Sequence, residues 1–307
     1  MEKYGCDKPD MRFELFLQDV TSIVEKSDFK VFNQEMVLAL PVPADISRNE
    51  IDDFTKIAIQ LGAKGLAWIK YKNGQLDSPI VKYLSDKEKK ELLAQLKLKE
   101  GSTVFFIGDK KKIARDILSK LRIEVGKRLK LIKDEFNFVW VTEFPLFGWN
   151  EEEQRFKPEH HPFTNIHLDD IKLLGNQKEM GKIRSQSYDL VLNGIEISSG
   201  SIRIHDSALQ KKIFEVIGLS EEEARRKFGF FIEALKYGTP PHGGTAPGLD
   251  RLIMIMTGQE SIREVIAFPK NKFAEALMEE GPCEINDRQL KELHIKVDLP
   301  KDKNQKS

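Results

Sequence analysis

The dipeptide Asn193-Gly194 constrains the fold more than any other feature, because it sits between the apolar runs Leu190-Val191-Leu192 and Ile195-Glu196-Ile197. Asn-Gly readily takes positive φ at both positions, which a two-residue type I′ turn requires. The chain therefore has to form a tight antiparallel hairpin here, and an all-helical or purely parallel architecture is excluded. In that register Leu192 faces Ile195, Val191 faces Glu196 and Asp189 faces Ser198. Asp189 and Glu196 then share one face as diagonal partners about 7–8 Å apart. Such a pair suits bracketing a cation carried on phosphate, or is simply the exposed polar face of a hairpin. Strict alternation from Glu196 puts Arg203 on the opposite face. A bulge within Ser198-Ser199-Gly200 would shift the alternation by one and bring Arg203 beside Glu196. There its planar fork can hold a carboxylate through two hydrogen bonds.

A second stretch, GTPPHGGTAPGLDRL at 238–252, reads as a loop, a short strand and then a helix with Arg251 near its start. Glycines allow a flat ligand to approach bare backbone, and a helix start favours anionic groups. An ordinary proline-glycine turn before a buried helix has the same spacing.

The 307 residues are 40% hydrophobic, enough to bury more than one core, and two domains are expected. Lys+Arg and Asp+Glu are 49 each, so a nucleic-acid contact would have to rest on local patches. Cys6 and Cys283 lie far apart and make no metal-ligand pattern, which points to a reduced, cytoplasmic setting. There is no signal peptide and no apolar run of transmembrane length, so no membrane partner is expected.

Residues 1–30 open on a loop around Gly5 and Pro9, after which 13–24 reads as amphipathic. Residues 31–130 alternate strand candidates (36–40, 66–71, 103–107) with three helices. Capping boxes Ser47/Glu50 and Ser85/Glu88 open the first two, Gly62 stops the first, and Ile113, Ile117 and Leu121 line the third. This reads as a self-contained α/β unit, with Lys110-Lys111-Lys112 as a solvated helix start. From Phe136 onward strands dominate. Residues 139–144, the hairpin at 187–204 and the strand before Arg251 would build an antiparallel sheet flanked by helices. One of these is opened by Ser220/Glu223 and runs to Gly238. Residues 301–307 form a polar tail. The expected class is α+β.

His160 and His161, if on a strand, face opposite ways, so one at most points into a given cleft. No further ligand is close enough in sequence for a metal site, and a structural histidine is the ordinary alternative. Asp7 reads as a turn residue.

Taken together, the stretch at 238–252, YGCDKPDMRF (4–13), GAKGLAWIK (62–70), HHPFT (160–164), SYDLVLNGIEI (187–197), GSIRIHD (200–206) and IREVIAFPK (262–270) resemble the class II aminoacyl-tRNA synthetases. The match narrows to the aspartyl enzymes of bacterial type, covers essentially the whole chain, and makes GGTAPGLDRL the third class II motif. The resemblance implies a partial class II antiparallel sheet, with 31–130 as an inserted GAD-like domain and 1–30 with 131–300 as parts of the catalytic domain. It implies an aspartate–tRNA ligase that uses ATP with magnesium, acts on aspartate and tRNA(Asp), with tRNA(Asn) open, and forms a homodimer. By the same resemblance Arg203 grips the aspartate side chain, His160 contacts the amino acid and Asp7 pairs with its α-ammonium group. Gly248, Leu249, Asp250 and Arg251 face ATP, and Glu196 and Asp189 hold magnesium.

Two departures stand out. Met1 falls inside the family's catalytic domain, so the OB barrel, motif 1 and motif 2 would lie upstream. The chain is then expected to be a C-terminal portion, inactive alone. The family's usual three glycines are here Ser198, Ser199 and Gly200. The alternative is a non-catalytic module that binds tRNA or protein. Upstream sequence encoding a barrel and motif 2 would favour the ligase, and a genuine start at Met1 the module.

Overall fold

A computed structural model describes residues 1–298 of the protein; the expected tail at 301–307 lies outside the described residues. The chain forms two compact units, Met1–Pro247 and Gly248–Ser307, each described by itself.

In the first unit one sheet contains β1 (Gln18–Asp19), β2 (Met36–Val42), β3 (Ala67–Lys72), β4 (Gln75–Asp77) and β5 (Ser102–Asp109), in the order β1-β2-β5-β3-β4. All its pairings are antiparallel, a direction that the strand–helix alternation in the sequence leaves open. Four helices accompany it: α1 (Thr21–Val24), α2 (Arg48–Gln60), α3 (Asp86–Leu96) and α4 (Lys111–Arg128). Both expected capping boxes form, Ser47 with Glu50 and Ser85 with Glu88.

Strands β2 and β5 are apolar on both pleat faces, so each face needs a cover. Leu38, Leu40, Phe105 and Ile107 pack in one core with Phe54 of α2 and Ile117 and Leu121 of α4. Val37, Ala39, Val104 and Phe106 pack in the other with Leu92 and Leu96 of α3 and Val24 of α1.

The amphipathic stretch at 13–24 is mostly extended, helical only at Thr21–Val24. Its buried residues Phe13, Leu15 and Leu17 follow the period of two that an extended chain needs, and all three enter the first core. Arg122 of α4 holds this stretch. Its side chain is 1% exposed, donates from Nε to Leu15 O and from Nη2 to Phe13 O at 2.8 Å, and lies 3.9 Å from the centre of the Phe13 ring.

Both cores therefore reach ahead of residue 31. Phe13, Leu15 and Leu17 belong to one, Val20 and Val24 to the other. Burying each is worth roughly 1.5–3 kcal/mol, so their sum rivals the whole stability of a small domain, about 5–15 kcal/mol. We propose that the independently folding unit starts before residue 13. Residues 1–134 expressed alone should unfold cooperatively in urea, whereas 31–130 should give a broad, non-cooperative transition. Equal cooperativity of the two fragments would refute that boundary.

The rest of the first unit carries the second sheet: β6 (Phe138–Thr142), β9 (Ser187–Leu192), β10 (Ile195–Ile202) and β11 (Gly243–Pro247), in the order β11-β10-β9-β6, all antiparallel. A separate hairpin joins β7 (Phe147–Asn150) to β8 (Arg155–Pro158). Helices α5 (Ser207–Val216) and α6 (Glu221–Leu235) flank them. Ser220 and Glu223 form the expected capping box, and α6 ends at Leu235, short of Gly238, with a kink at Phe228. Leu146, Phe147, Ile166, Ile183, Ile204, Ile213 and Phe214 make the third core. The second unit contains α7 (Leu249–Met256) and α8 (Asp287–Glu292). The class is α+β, antiparallel sheets flanked by helices. Among the described residues no helix is long and apolar enough to cross a membrane.

Candidate active site

The hairpin sets the geometry. Asn193 and Gly194 have φ of 52° and 83°, positive at both positions as a type I′ turn needs. Asn193 fixes the turn from its side chain: Oδ1 accepts from Asn137 N at 2.9 Å and Nδ2 donates to Glu135 O at 2.9 Å. Ile195 pairs with Leu192 and Glu196 with Val191, as the sequence requires.

The bulge is present, but it lies between Glu196 and Ser198, ahead of the expected Ser198–Gly200. Ile197 and Ser198 are both buried, at 7% and 6% exposure. The register against β9 shifts by one residue at that point, which is where the extra residue is absorbed. As a correction, Asp189 pairs with Ser199, not Ser198. Asp189, Val191 and Glu196 still share one face. Beyond the bulge Ser199, Ser201 and Arg203 continue it.

Of the three positions where glycine was expected, Gly200 is the one that cannot take a Cβ. An added methyl would stand 2.1 Å from Gly244 O and 2.7 Å from the Tyr188 ring. Ser198 uses its hydroxyl instead, bonding Thr245 Oγ1 across to β11 at 2.5 Å. Tyr188 donates from its hydroxyl to Gly244 O at 3.0 Å, drawing β11 onto the same framework.

Arg203 opens into a cleft of about 780 Å³ lined by His161, Phe163, Lys227, Phe228, Phe230, Phe231, His242, Gly243 and Gly244. Among the described residues no carboxylate lines it. The arginine Nη1 donates to Ser201 Oγ at 2.9 Å and lies 3.2 Å from His161 Nδ1. Ser201 and Thr164 beneath are buried, and the Thr164 hydroxyl lies 3.4 Å from that of Ser201. An arginine held by the neutral acceptors Ser201 and His161, in a cleft that no acid lines among the described residues, is prepared for an incoming anion.

His160 and His161 lie in a bend, not a strand, so strand alternation does not set their directions, although only one of the two lines the cleft, as expected. The two rings lie 4.4 Å apart, tilted by 33°. His161 lines the cleft, whereas His160 is exposed, with Nδ1 3.3 Å from Thr164 Oγ1. Burial first, then the charge of Arg203 and the neighbouring His160, push the pKa of His161 down to about 4. His242 also lines the cleft; its Nδ1 lies 2.9 Å from Pro240 O.

Glu196 is tied to the opening segment by Lys8, whose Nζ is 3.2 Å from Oε2. Asp10 packs beside Gly194; burial pushes its pKa up, but three hydrogen bonds from the Arg12 side chain, with the backbone N–H and charge of Arg12, together outweigh this and leave it below the usual range. Asp7, half-buried one residue before Lys8, is not among the residues lining the cleft. Gly248, Leu249, Asp250 and Arg251 belong to the second unit. Gly248 caps α7, and Arg251 is an exposed residue of its first turn.

Several residues of this site escape a reading of the sequence: Ser201, Thr164, and the Lys227-Phe228 step with Phe231. The available signal was the kinked aromatic run Phe228 to Phe231 following Arg225-Arg226-Lys227, which puts cations and rings on one short segment.

An antiparallel sheet with a cation-lined cleft at its glycine-rich edge agrees with the comparison of sequences. The profile described as tRNA synthetases class II (D, K and N) matches residues 1–272. The chain belongs to this family of class II tRNA synthetases. Within it, the chain is 48% identical over 315 residues to the aspartate–tRNA(Asp/Asn) ligase of Thermodesulfovibrio yellowstonii, covering 97% of this chain and 53% of that protein. It is 47% identical over 304 residues to an aspartate–tRNA ligase of Clostridium botulinum, covering 96% and 51%. The chain thus spans about half the length of the curated relatives it matches. An aspartyl-tRNA synthetase structure from Entamoeba histolytica aligns with 78% of this chain and 43% of that one, at 16% identity and a TM-score of 0.35.

Proposed function

We propose that the chain supplies the aspartate-reading side of an aspartate–tRNA ligase centre. In that reaction aspartate is activated with ATP to aspartyl-adenylate, pyrophosphate leaves, and the aspartyl group passes to the 3′ end of tRNA. The observation that carries this reading is Arg203, held by neutral acceptors in a cleft that no carboxylate lines among the described residues. Arg203 takes the side-chain carboxylate of aspartate. His160 contacts the amino acid, and Asp7 pairs with its α-ammonium group. Gly248, Leu249, Asp250 and Arg251 serve the nucleotide, with Arg251 on adenine and the γ-phosphate.

The first step is in-line attack of the substrate α-carboxylate on the α-phosphate. It needs alignment and charge neutralisation more than a protein nucleophile. Magnesium is implied with ATP. Asp189 and Glu196 offer hard carboxylate oxygens on one face of the hairpin, but no group of three His, Cys, Asp or Glu suits an ion among the described residues. That donor set fits an ion arriving on phosphates, which keeps most of its ligands from substrate and water. Bound there, magnesium would neutralise phosphate charge.

The two relatives named above carry the names of a tRNA(Asp/Asn) and a plain aspartate–tRNA ligase, so tRNA(Asp) and tRNA(Asn) are both taken as substrates to test. The setting is cytoplasmic and the working assembly a homodimer.

On this reading the motif 2 arginine that the family places at the reacting α-phosphate lies outside these 307 residues. Loss of one preorganised charge of that kind costs on the order of 10²–10³ in rate. We therefore expect no aspartate-dependent ATP–pyrophosphate exchange from these residues alone, and exchange once they are joined to the N-terminal half of a relative. Comparable exchange from the 307-residue chain would overturn the inactivity. Failure of the joined chain would overturn the ligase reading.

A further inference from the structure

The hydrogen bonds around His161 leave its ring one protonation state. Phe163 N donates to Nδ1 at 3.2 Å, Arg203 Nη1, which has only hydrogens to offer, stands 3.2 Å from the same atom, and the Thr164 hydroxyl, able to donate to it as well, lies 3.4 Å away. A ring nitrogen that accepts N–H groups cannot carry its own proton, so the proton of the neutral ring lies on Nε2. Nε2 is enclosed and meets no partner among the described residues. The charged or titratable groups around the ring are Arg203, Lys227, His242 and His160, none of which favours an imidazolium. The low pKa, about 4, agrees with this.

The same contacts account for both hydrogens of Arg203 Nη1. One meets His161 Nδ1 and the other Ser201 Oγ. Among the described residues, no protein acceptor meets Nε or Nη2, and these two atoms form the side-on fork of a guanidinium.

We propose that His161 is a positioning residue: as the neutral Nε2–H tautomer it fixes the Nη1 end of Arg203, so that a ligand carboxylate is taken side-on by Nε and Nη2. This rests on the reading of Arg203 as the anion-gripping group. Protonation of His161 would set donor against donor and cation against cation, releasing the guanidinium.

Long-range proton–nitrogen NMR on the labelled 307-residue chain tests it without ligand. Between pH 5.5 and 8 the His161 signals should show the Nε2–H tautomer alone and no titration step. A proton on Nδ1, or titration near the ordinary histidine value, would overturn the proposal. A second comparison uses His161→Asn, whose amide oxygen can replace Nδ1 as acceptor, and His161→Ala. Separate, slowly exchanging Arg203 Nη signals should persist in the unmodified chain and the Asn variant and merge in the Ala variant. Unchanged signals in the Ala variant would also overturn it. Should the Ala variant not fold, the tautomer of the unmodified chain still decides. Because neither measurement involves aspartate, their failure is distinct from failure of the aspartate reading.

Discussion

Arg203→Ala, made in the chain joined to the N-terminal half of a relative, is expected to lower kcat/KM for aspartate in pyrophosphate exchange by roughly 10²- to 10³-fold. Truncating one partner of a desolvated, hydrogen-bonded charge pair costs about 2–5 kcal/mol. The lost partner here is a fork standing in a cleft whose lining offers no other bidentate donor among the described residues. KM for ATP should change little, because Arg203 is assigned to the amino acid. Arg203→Lys should not rescue, since an ammonium keeps the charge but loses the planar pair of donors. A fall of less than about fivefold would mean that the aspartate side chain is held elsewhere.

The second large effect concerns stability. Arg122→Ala should destabilise the first sheet and its helices by about 3 kcal/mol, because it strips two backbone carbonyls of charged donors and leaves a cavity against Phe13. Arg122→Met should recover part of this. Methionine fills the space without the cost of a buried charge, a cost visible in the lowered pKa of Arg122, which burial causes. Urea titration read by Trp68, with Trp140 and Trp149 replaced by Phe, isolates that sheet. A change below about 0.5 kcal/mol would show that the opening segment is held by its apolar side chains alone.

Those two arginines also mark what a reading of the sequence can reach. The hairpin was legible because Asn-Gly flanked by apolar runs has essentially one low-strain solution. The three capping boxes were legible because their hydrogen bonds are local. The bulge was foreseeable in kind, since only a shift of one residue could join Arg203 to Glu196. Its place was not, because it depends on how β10 pairs with β9, a tertiary fact. For the histidine pair the expected result, one ring at most in the cleft, holds, but in a bend and not by strand alternation. Arg122 carried a signal that charge alone obscures. Leu118, Arg122 and Val125 are spaced four and three residues apart along one face of α4, so helical period already put the arginine on the apolar stripe.

The most direct test of the central claim, that Arg203 reads a carboxylate side chain, is calorimetric titration of the 307-residue chain. The two ligands are the sulfamoyl-adenosine analogues of aspartyl- and asparaginyl-adenylate. They share shape and nucleotide and differ in one charged group. The aspartyl analogue is expected to bind at least about 100-fold more tightly, and Arg203→Ala should remove most of the difference. Equal affinities for the two analogues, or no binding of either, would contradict the account.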